Sequence, residues 1–363
     1  MVVKHLFCVV WPHMNNTIGL IDILRSASNL RIKVLKCFDY FLGSLLTFLL
    51  PKAAQKSFSP QEIKHLLVIR PGGIGDAVLL LPVLNQIKKQ YPEIHIDILC
   101  EQRNAQVFCS QASWRTSTYC YDRFNELSTV LGRRYDVVVD TEQWHYLSVI
   151  LGYFLKRQAL IGFGTRPLRR RLLNGVCEYD HDAYELDNFE NLFGAWQLDH
   201  AEIILEGSWG IDQDLKIETF DKIKGRYAVL SPTASIPERQ LTQAQISTIV
   251  NGLKAQGWEV MVLNSQMKLL QSAAMIQDAE FFIGVDSGLL HVAAALDKPV
   301  VGLFGPGRVL KWAPQGKKHH IIYNKLACSP CTRFGYTLPT CQGRITCMRD
   351  LNIDMAEILR RVG

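Results

Sequence analysis

The chain has 363 residues, 48% of them hydrophobic and 20% charged, with a formal net charge of +6. That length supports two domains of ordinary size, each with its own core, and the composition is that of a globular protein. The modest positive charge comes without any basic-aromatic module, so it gives no ground for a nucleic-acid partner. It fits anionic substrates or an anionic membrane face.

Residues 1–60 differ from the rest. The stretch Leu30 to Leu50 is strongly apolar, with Arg31, Lys33, Lys36 and Lys52 around it, and its uninterrupted part, Tyr40 to Leu50, is too short to span a bilayer. The pattern predicts a basic amphipathic helix in a membrane interface, against a helix packed on the protein's own surface or a tilted span burdened by Lys36 and Asp39. Gln55 to Gln61 reads as a linker. Six of the ten cysteines (Cys8, Cys37, Cys100, Cys109, Cys120, Cys177) are scattered, and no small-residue cleavage site follows Met1 to Val10. The expectation is a reducing, cytoplasmic compartment.

From Lys64 the chain alternates strand and helix. Lys64–Arg70, Glu93–Cys100, Tyr135–Asp140 and Ala159–Phe163 read as strands, with a helix from Ala77 to Gln90 after the turn Pro71-Gly-Gly-Ile-Gly-Asp76. A helix is expected from about Tyr184 to Gln197, and polar residues 207–223 read as a linker. A second series follows: strand Tyr227–Ser231, helix Thr242–Gln256, strand Trp258–Leu263, helix Leu269–Asp278, strand Phe281–Val285, helix Leu289–Leu296 and strand Pro299–Phe304. This pattern predicts an α/β protein with two Rossmann-like, doubly wound parallel sheets. The expected division is an N-terminal extension at 1–60, a first domain at 61–206, a linker at 207–223 and a second domain at 224–363.

Several turns carry candidate chemistry. Asp286-Ser-Gly288 ends a strand and opens an Ala- and Leu-rich helix, with Ser287 as N-cap and Gly288 allowing close approach of a ligand. In open α/β sheets ligands bind at such ends, where free N–H groups attract phosphate. The alternative is an ordinary βα turn. Gly72-Gly-Ile-Gly-Asp76 is neither a dinucleotide fingerprint nor a Walker loop. Its Asp76, at a helix start, is either a general base or only a cap. In the loop Pro232 to Gln240, Thr233 and Ser235 could donate to phosphate, and Arg239 could neutralise a leaving diphosphate, against a solvated loop.

Arg166, Arg169, Arg170 and Arg171 form a basic cluster, either a solvated face or a contact for an anionic acceptor or lipid phosphate. Cys328, Cys331, Cys341 and Cys347 follow C-x2-C-x9-C-x5-C spacing. They read as a structural zinc or iron site, or as free or disulfide-linked thiols. The triplets Asp180-His-Asp182 and Asp212-Gln-Asp214 match D-x-D but neither follows a strand of the second half, and no metal chemistry is expected of them.

Two of these motifs together resemble one family. Arg70-Pro-Gly-Gly-Ile-Gly-Asp-Ala-Val-Leu-Leu-Leu-Pro-Val-Leu84 is similar to the first-strand turn, and Asp286-Ser-Gly-Leu-Leu-His291 to the nucleotide-sugar signature, of glycosyltransferase family 9, the lipopolysaccharide heptosyltransferases. The similarity runs from about Lys64 to Leu359, and the cysteine group recurs in many relatives. The resemblance implies a GT-B fold with two Rossmann-like domains facing a cleft. It implies inverting transfer, without a required cofactor or metal, of a sugar, typically heptose from ADP-heptose, to lipopolysaccharide core or another cell-envelope glycan. By position, Asp76 would be the base; the candidate acceptor-side residues are Gly73, Gly75 and, from the basic run, Arg166 and Arg169. Thr233, Ser235, Arg239, Asp286, Ser287, Gly288, Leu289 and His291 would serve the donor, with His291 orienting or packing the loop. The implied partners are a nucleotide sugar, an anionic lipid-linked glycan and the inner face of the cytoplasmic membrane. The chain departs from the core heptosyltransferases at Leu79, where they usually have His, and at Arg239, where they have Lys. A GT-B nucleotide-sugar epimerase and a non-catalytic sugar-nucleotide-binding protein are the alternatives.

Overall fold

The computed structural model describes residues 36–111, 114, 116–211, 225–333, 336–337 and 344–362. The expected features at residues 30–35, Cys8, Cys341, Asp212 and Asp214 lie outside them, as does most of the expected linker at 207–223.

The first sheet has six parallel strands: β1 (His65–Arg70), β2 (His95–Cys100), β3 (Ser117–Cys120), β4 (Arg134–Asp140), β5 (Lys156–Phe163) and β6 (Gly175–Cys177), in the order β3-β2-β1-β4-β5-β6. Leu66–Val68 of β1 and Val137–Val139 of β4 are buried, as strands covered on both faces must be. The second sheet has five parallel strands: β7 (Tyr227–Ser231), β8 (Glu259–Val262), β9 (Phe281–Val285), β10 (Val300–Phe304) and β11 (His319–Tyr323), in the order β11-β10-β9-β7-β8. Both sheets are the Rossmann-like type the alternation predicts. The pattern had not marked β3, β6 or β11, which are short or polar strands at or near sheet edges.

Strand order fixes where ligands can enter. In the first sheet the order reverses between β1 and β4, and in the second between β7 and β9. A crevice opens outside the carboxyl ends of strands at such a reversal. The turn after β1 contains Gly72 and leads to Asp76. The turns after β7 and β9 contain Arg239 and Asp286-Ser287. The motifs therefore lie at the two switch points.

The N-terminal segment has one face on the protein and one in solvent. A π-helical turn, Asp39–Gly43, runs into α1 (Ser44–Leu49). Asp39, Tyr40, Gly43 and Thr47 are buried, while Phe38, Phe41, Leu45, Leu46 and Leu49 are exposed. The Asp39 carboxylate accepts from the backbone N–H groups of Tyr146 and Leu147 at 2.8 and 2.7 Å. Among the described residues no helix is long and apolar enough to cross a membrane.

Candidate functional site

The first half contributes the turn after β1 and the start of α2 (Ile74–Gln90). Gly72 has φ +100°, a conformation that favours glycine. Its N–H donates to Glu101 Oε1 at 3.3 Å. Arg70 is buried and donates to Pro71 O at 2.7 Å and Thr141 O at 3.1 Å, which ties the turn after β1 to the turn after β4. Asn104 Nδ2 donates to Arg70 O at 3.2 Å. Asp76 sits half-buried in the first turn of α2, where unpaired N–H groups favour a carboxylate.

The second half contributes α10 (Gly288–Ala295) and the loop before it. Ser287 is the N-cap, in extended conformation, and its side chain makes no capping bond. Its Oγ is buried without a partner, so a donor or acceptor is left for a ligand. The Asp286 carboxylate lies 3.1 Å from Arg239 Nη1 but out of line for a hydrogen bond. Burial raises its pKa above the usual carboxylate range, and the Arg239 charge works against that rise. Thr233 and Ser235 are exposed on the loop after β7, and Leu289 is half-buried.

The two helix starts meet. A Cβ on Gly288 would lie 3.0 Å from Gly75 N, and one on Gly75 would lie 2.9 Å from His291 Cδ2. Only glycine at both positions allows this approach, so the positive ends of α2 and α10 point into one small region. His291 is buried beside it, with Nδ1 unpartnered. Burial lowers its pKa to about 4, so the ring is neutral at pH 7.

The structure places Arg166 and Arg169 in the interior, not on the solvated or ligand-facing patch the run suggested. Arg166 stacks among Tyr40, Trp144 and Tyr146, its guanidinium carbon 5.4, 4.3 and 4.7 Å from their ring centres. Arg169 Nη2 pairs with Asp140 Oδ2 at 2.9 Å with both side chains fully buried; Nη2 also donates to Glu142 O, and Nη1 to His145 O. Arg170 pairs with the exposed Glu178.

Three of the four clustered cysteines are described. Cys328 is exposed, Cys331 half-buried and Cys347 buried. Cys331 N donates to Pro306 O at 3.1 Å, and Ser329 Oγ to Gly305 O at 2.8 Å, so this loop packs on the turn after β10. Among the described residues no three His, Cys, Asp or Glu side chains gather as a metal site would require.

Other residues at the junction escaped the sequence reading. On α11 (Val309–Trp312), Lys311 Nζ lies 2.8 Å from Glu185 Oε2, at the start of α7 (Glu185–Leu192). Arg308 donates to His181 O at 2.7 Å and pairs with Asp182, so the D-x-D triplet Asp180-His-Asp182 serves as a contact between the halves. A lysine in Val309-Leu-Lys-Trp312, between apolar neighbours, was the one available sign.

Comparison with known proteins follows the same line. A sequence profile described as "Glycosyltransferase family 9 (heptosyltransferase)" matches residues 262–340. The chain is 22% identical over 297 residues to lipopolysaccharide heptosyltransferase 3 of Escherichia coli, covering 66% of this chain and 83% of that protein. Its fold is similar to the structure of E. coli heptosyltransferase WaaC with ADP, with a TM-score of 0.58 at 19% identity, over 71% of this chain and 92% of the other. It is also similar to the family 9 glycosyl transferase from Veillonella parvula, with a TM-score of 0.61 at 13% identity, over 82% and 95% of the two chains. At such identities these structures speak for the fold, which is the expected GT-B arrangement.

Proposed function

We propose that this chain, a glycosyltransferase of family 9, moves heptose from ADP-heptose onto a lipopolysaccharide-core or related cell-envelope glycan, with inversion at the anomeric carbon. The observation that carries the reading is the meeting of the Gly75-Asp76 and Ser287-Gly288 turns at contact distance. It brings a carboxylate and a diphosphate-friendly helix start into one cleft.

In this reading the acceptor oxygen attacks the anomeric carbon as the bond to the diphosphate breaks, and Asp76 takes the hydroxyl proton. Ser287 Oγ and the N–H groups of Gly288 and Leu289 bind the diphosphate, with Thr233 and Ser235 toward its outer oxygens. Arg239 neutralises the charge that develops on the leaving group. Asp286, held by Arg239, receives sugar hydroxyls, and neutral His291 packs behind α10. Gly73 and Gly75 leave room for the acceptor backbone. Arg166 and Arg169 support that half from within. No step passes through a metal, so transfer is expected to survive a chelator.

The N-terminal segment supports placing the enzyme on the inner face of the cytoplasmic membrane. Phe38, Phe41, Leu45 and Leu49 present an apolar face with Lys36 beside it. Co-sedimentation with anionic vesicles, lost on Phe41→Ser/Leu49→Ser, checks that part.

A thermal-shift panel of ADP-, UDP-, GDP- and dTDP-sugars tests the donor. Stabilisation by another donor but not by ADP-heptose would remove heptose from the proposal. Asp76→Ala is expected to lower turnover by about 10²- to 10⁴-fold while the ADP thermal shift is kept. Turnover near the wild-type level would remove Asp76 as the base.

A further inference from the structure

A buried ion pair crosses the cleft next to the proposed base. Lys311 is 6% exposed and Glu185 is fully buried. The Glu185 Oε2 that meets Lys311 also accepts from the Tyr179 hydroxyl at 2.6 Å, and Oε1 is buried with no partner. Lys311 Nζ lies 4.6 Å from the Tyr179 ring centre and 5.5 Å from that of Trp312, an arrangement that favours a cation. Glu185 opens α7, where the helix dipole favours an anion.

We propose that Lys311 and Glu185 are positioning residues for transfer: they join the two halves across the cleft and fix the charge beside Asp76. The inference rests on the transfer reading above. Two observations carry it. The first is connectivity. Lys311 lies on α11, joined to β10 by a turn whose Gly307 packs directly on the Asp286 carboxylate, while Glu185 belongs to the half that carries Asp76. The pair therefore links the donor turn of one half to the base of the other. The second is electrostatic neighbourhood. Asp76 acts on both Glu185 and Tyr179. Burial raises the Glu185 pKa, Lys311 opposes that rise, and the Asp76 charge adds to it.

A buried ion pair is a weak device for stability, since apolar residues of similar volume often do as well. Here its charges have a use. The charged and titratable groups around it are Asp76, Arg70, Tyr179, Asp180, His181 and Asp182 from the first half, and Arg308 from the second. Lys311 balances Glu185 only when the halves are together. Apart, Glu185 faces Asp76 without its counter-ion, and two neighbouring carboxylates disfavour each other's ionisation.

The test compares Lys311→Met, Glu185→Gln and the double variant. With ADP-heptose and a lipid-linked core acceptor, the acid limb of the kcat/KM profile is expected to move up in Lys311→Met and down in Glu185→Gln. Each shift is about 0.5–1 pH unit, and the double variant returns near wild type. If Lys311→Met does not fold, Tyr179→Phe removes the hydroxyl that stabilises the Glu185 carboxylate and shifts the limb down, as Glu185→Gln does, by less. In the ligand-free chain, amide exchange at the starts of α2 and α10 is expected to rise several-fold in each single variant. Limbs that stay put or move the same way, or unchanged exchange at those helix starts, would overturn the proposal. If the wild-type chain transfers nothing from ADP-heptose, the transfer reading falls, and the exchange measurement alone decides whether the pair joins the halves.

Discussion

Gly288→Ala isolates the approach of the two helix starts. The new methyl carbon would lie 3.0 Å from Gly75 N, 3.2 Å from Ile74 Cβ and 3.5 Å from Ile74 Cγ2. The nearest atom is backbone and cannot rotate away. Relief needs α2 and α10 to separate by a few tenths of an ångström, and overpacking of this kind costs about 1–3 kcal/mol. The cost applies only with the halves together. It therefore lowers the equilibrium constant for that arrangement by about 5- to 150-fold. The assay is kcat/KM for transfer from ADP-heptose, read beside thermal unfolding. Alanine is the better helix former by roughly 1 kcal/mol, so unfolding of the second half is expected to change little while kcat/KM falls. Gly132→Ala is the control, since nothing lies within 4 Å of a Cβ there. A Gly288→Ala enzyme within twofold of wild-type kcat/KM would refute the idea that transfer needs the Gly75–Gly288 contact.

Three further outcomes follow from buried groups. His291 has its pKa depressed to about 4, so the unfolded chain binds the proton first as pH falls from 6.5 toward 4, and stability drops in that window by about 3 kcal/mol. Denaturant unfolding across that range should be flatter in His291→Gln. Arg169→Met leaves Asp140 buried without its counter-ion and is expected to cost about 3–5 kcal/mol, while Arg170→Met on the surface costs little; urea midpoints compare them. Asp39→Ala removes the cap on Tyr146 and Leu147 N–H and should cost about 1–2 kcal/mol, seen as faster proteolysis near residues 39–49.

Much of the fold was legible because its signals are local. Short, β-branched apolar runs such as Val137-Val-Val139, bounded by polar residues, read as strands of a sheet covered on both faces. The strands the pattern missed are those where this signal fails. Ser117-Thr-Tyr-Cys120 has three half-buried residues of four, and His319–Tyr323 is half-buried at an edge. Asp76 and Ser287 were legible for the same reason, since each follows its strand within a few residues. The arginine run misled because charge in sequence says nothing about its counter-ion. Asp140 lies 29 residues from Arg169, and Tyr40 more than a hundred from Arg166.

The same distinction bears on the cleft itself. Each half's ligand turn is set by its own strand order, so each could be read from its own stretch of sequence. What joins them could not be: Lys311 and Glu185 are far apart in the chain and meet only because both sheets present their carboxyl ends to one another. Conserving the motif turns would keep the proposed donor site and the proposed base. It would not keep them at the distance transfer needs, which depends on Gly75 against Gly288 and on the ion pair behind them. Substitutions at Lys311 should therefore spare ADP binding and damage transfer, whereas substitutions at Ser287 should weaken both.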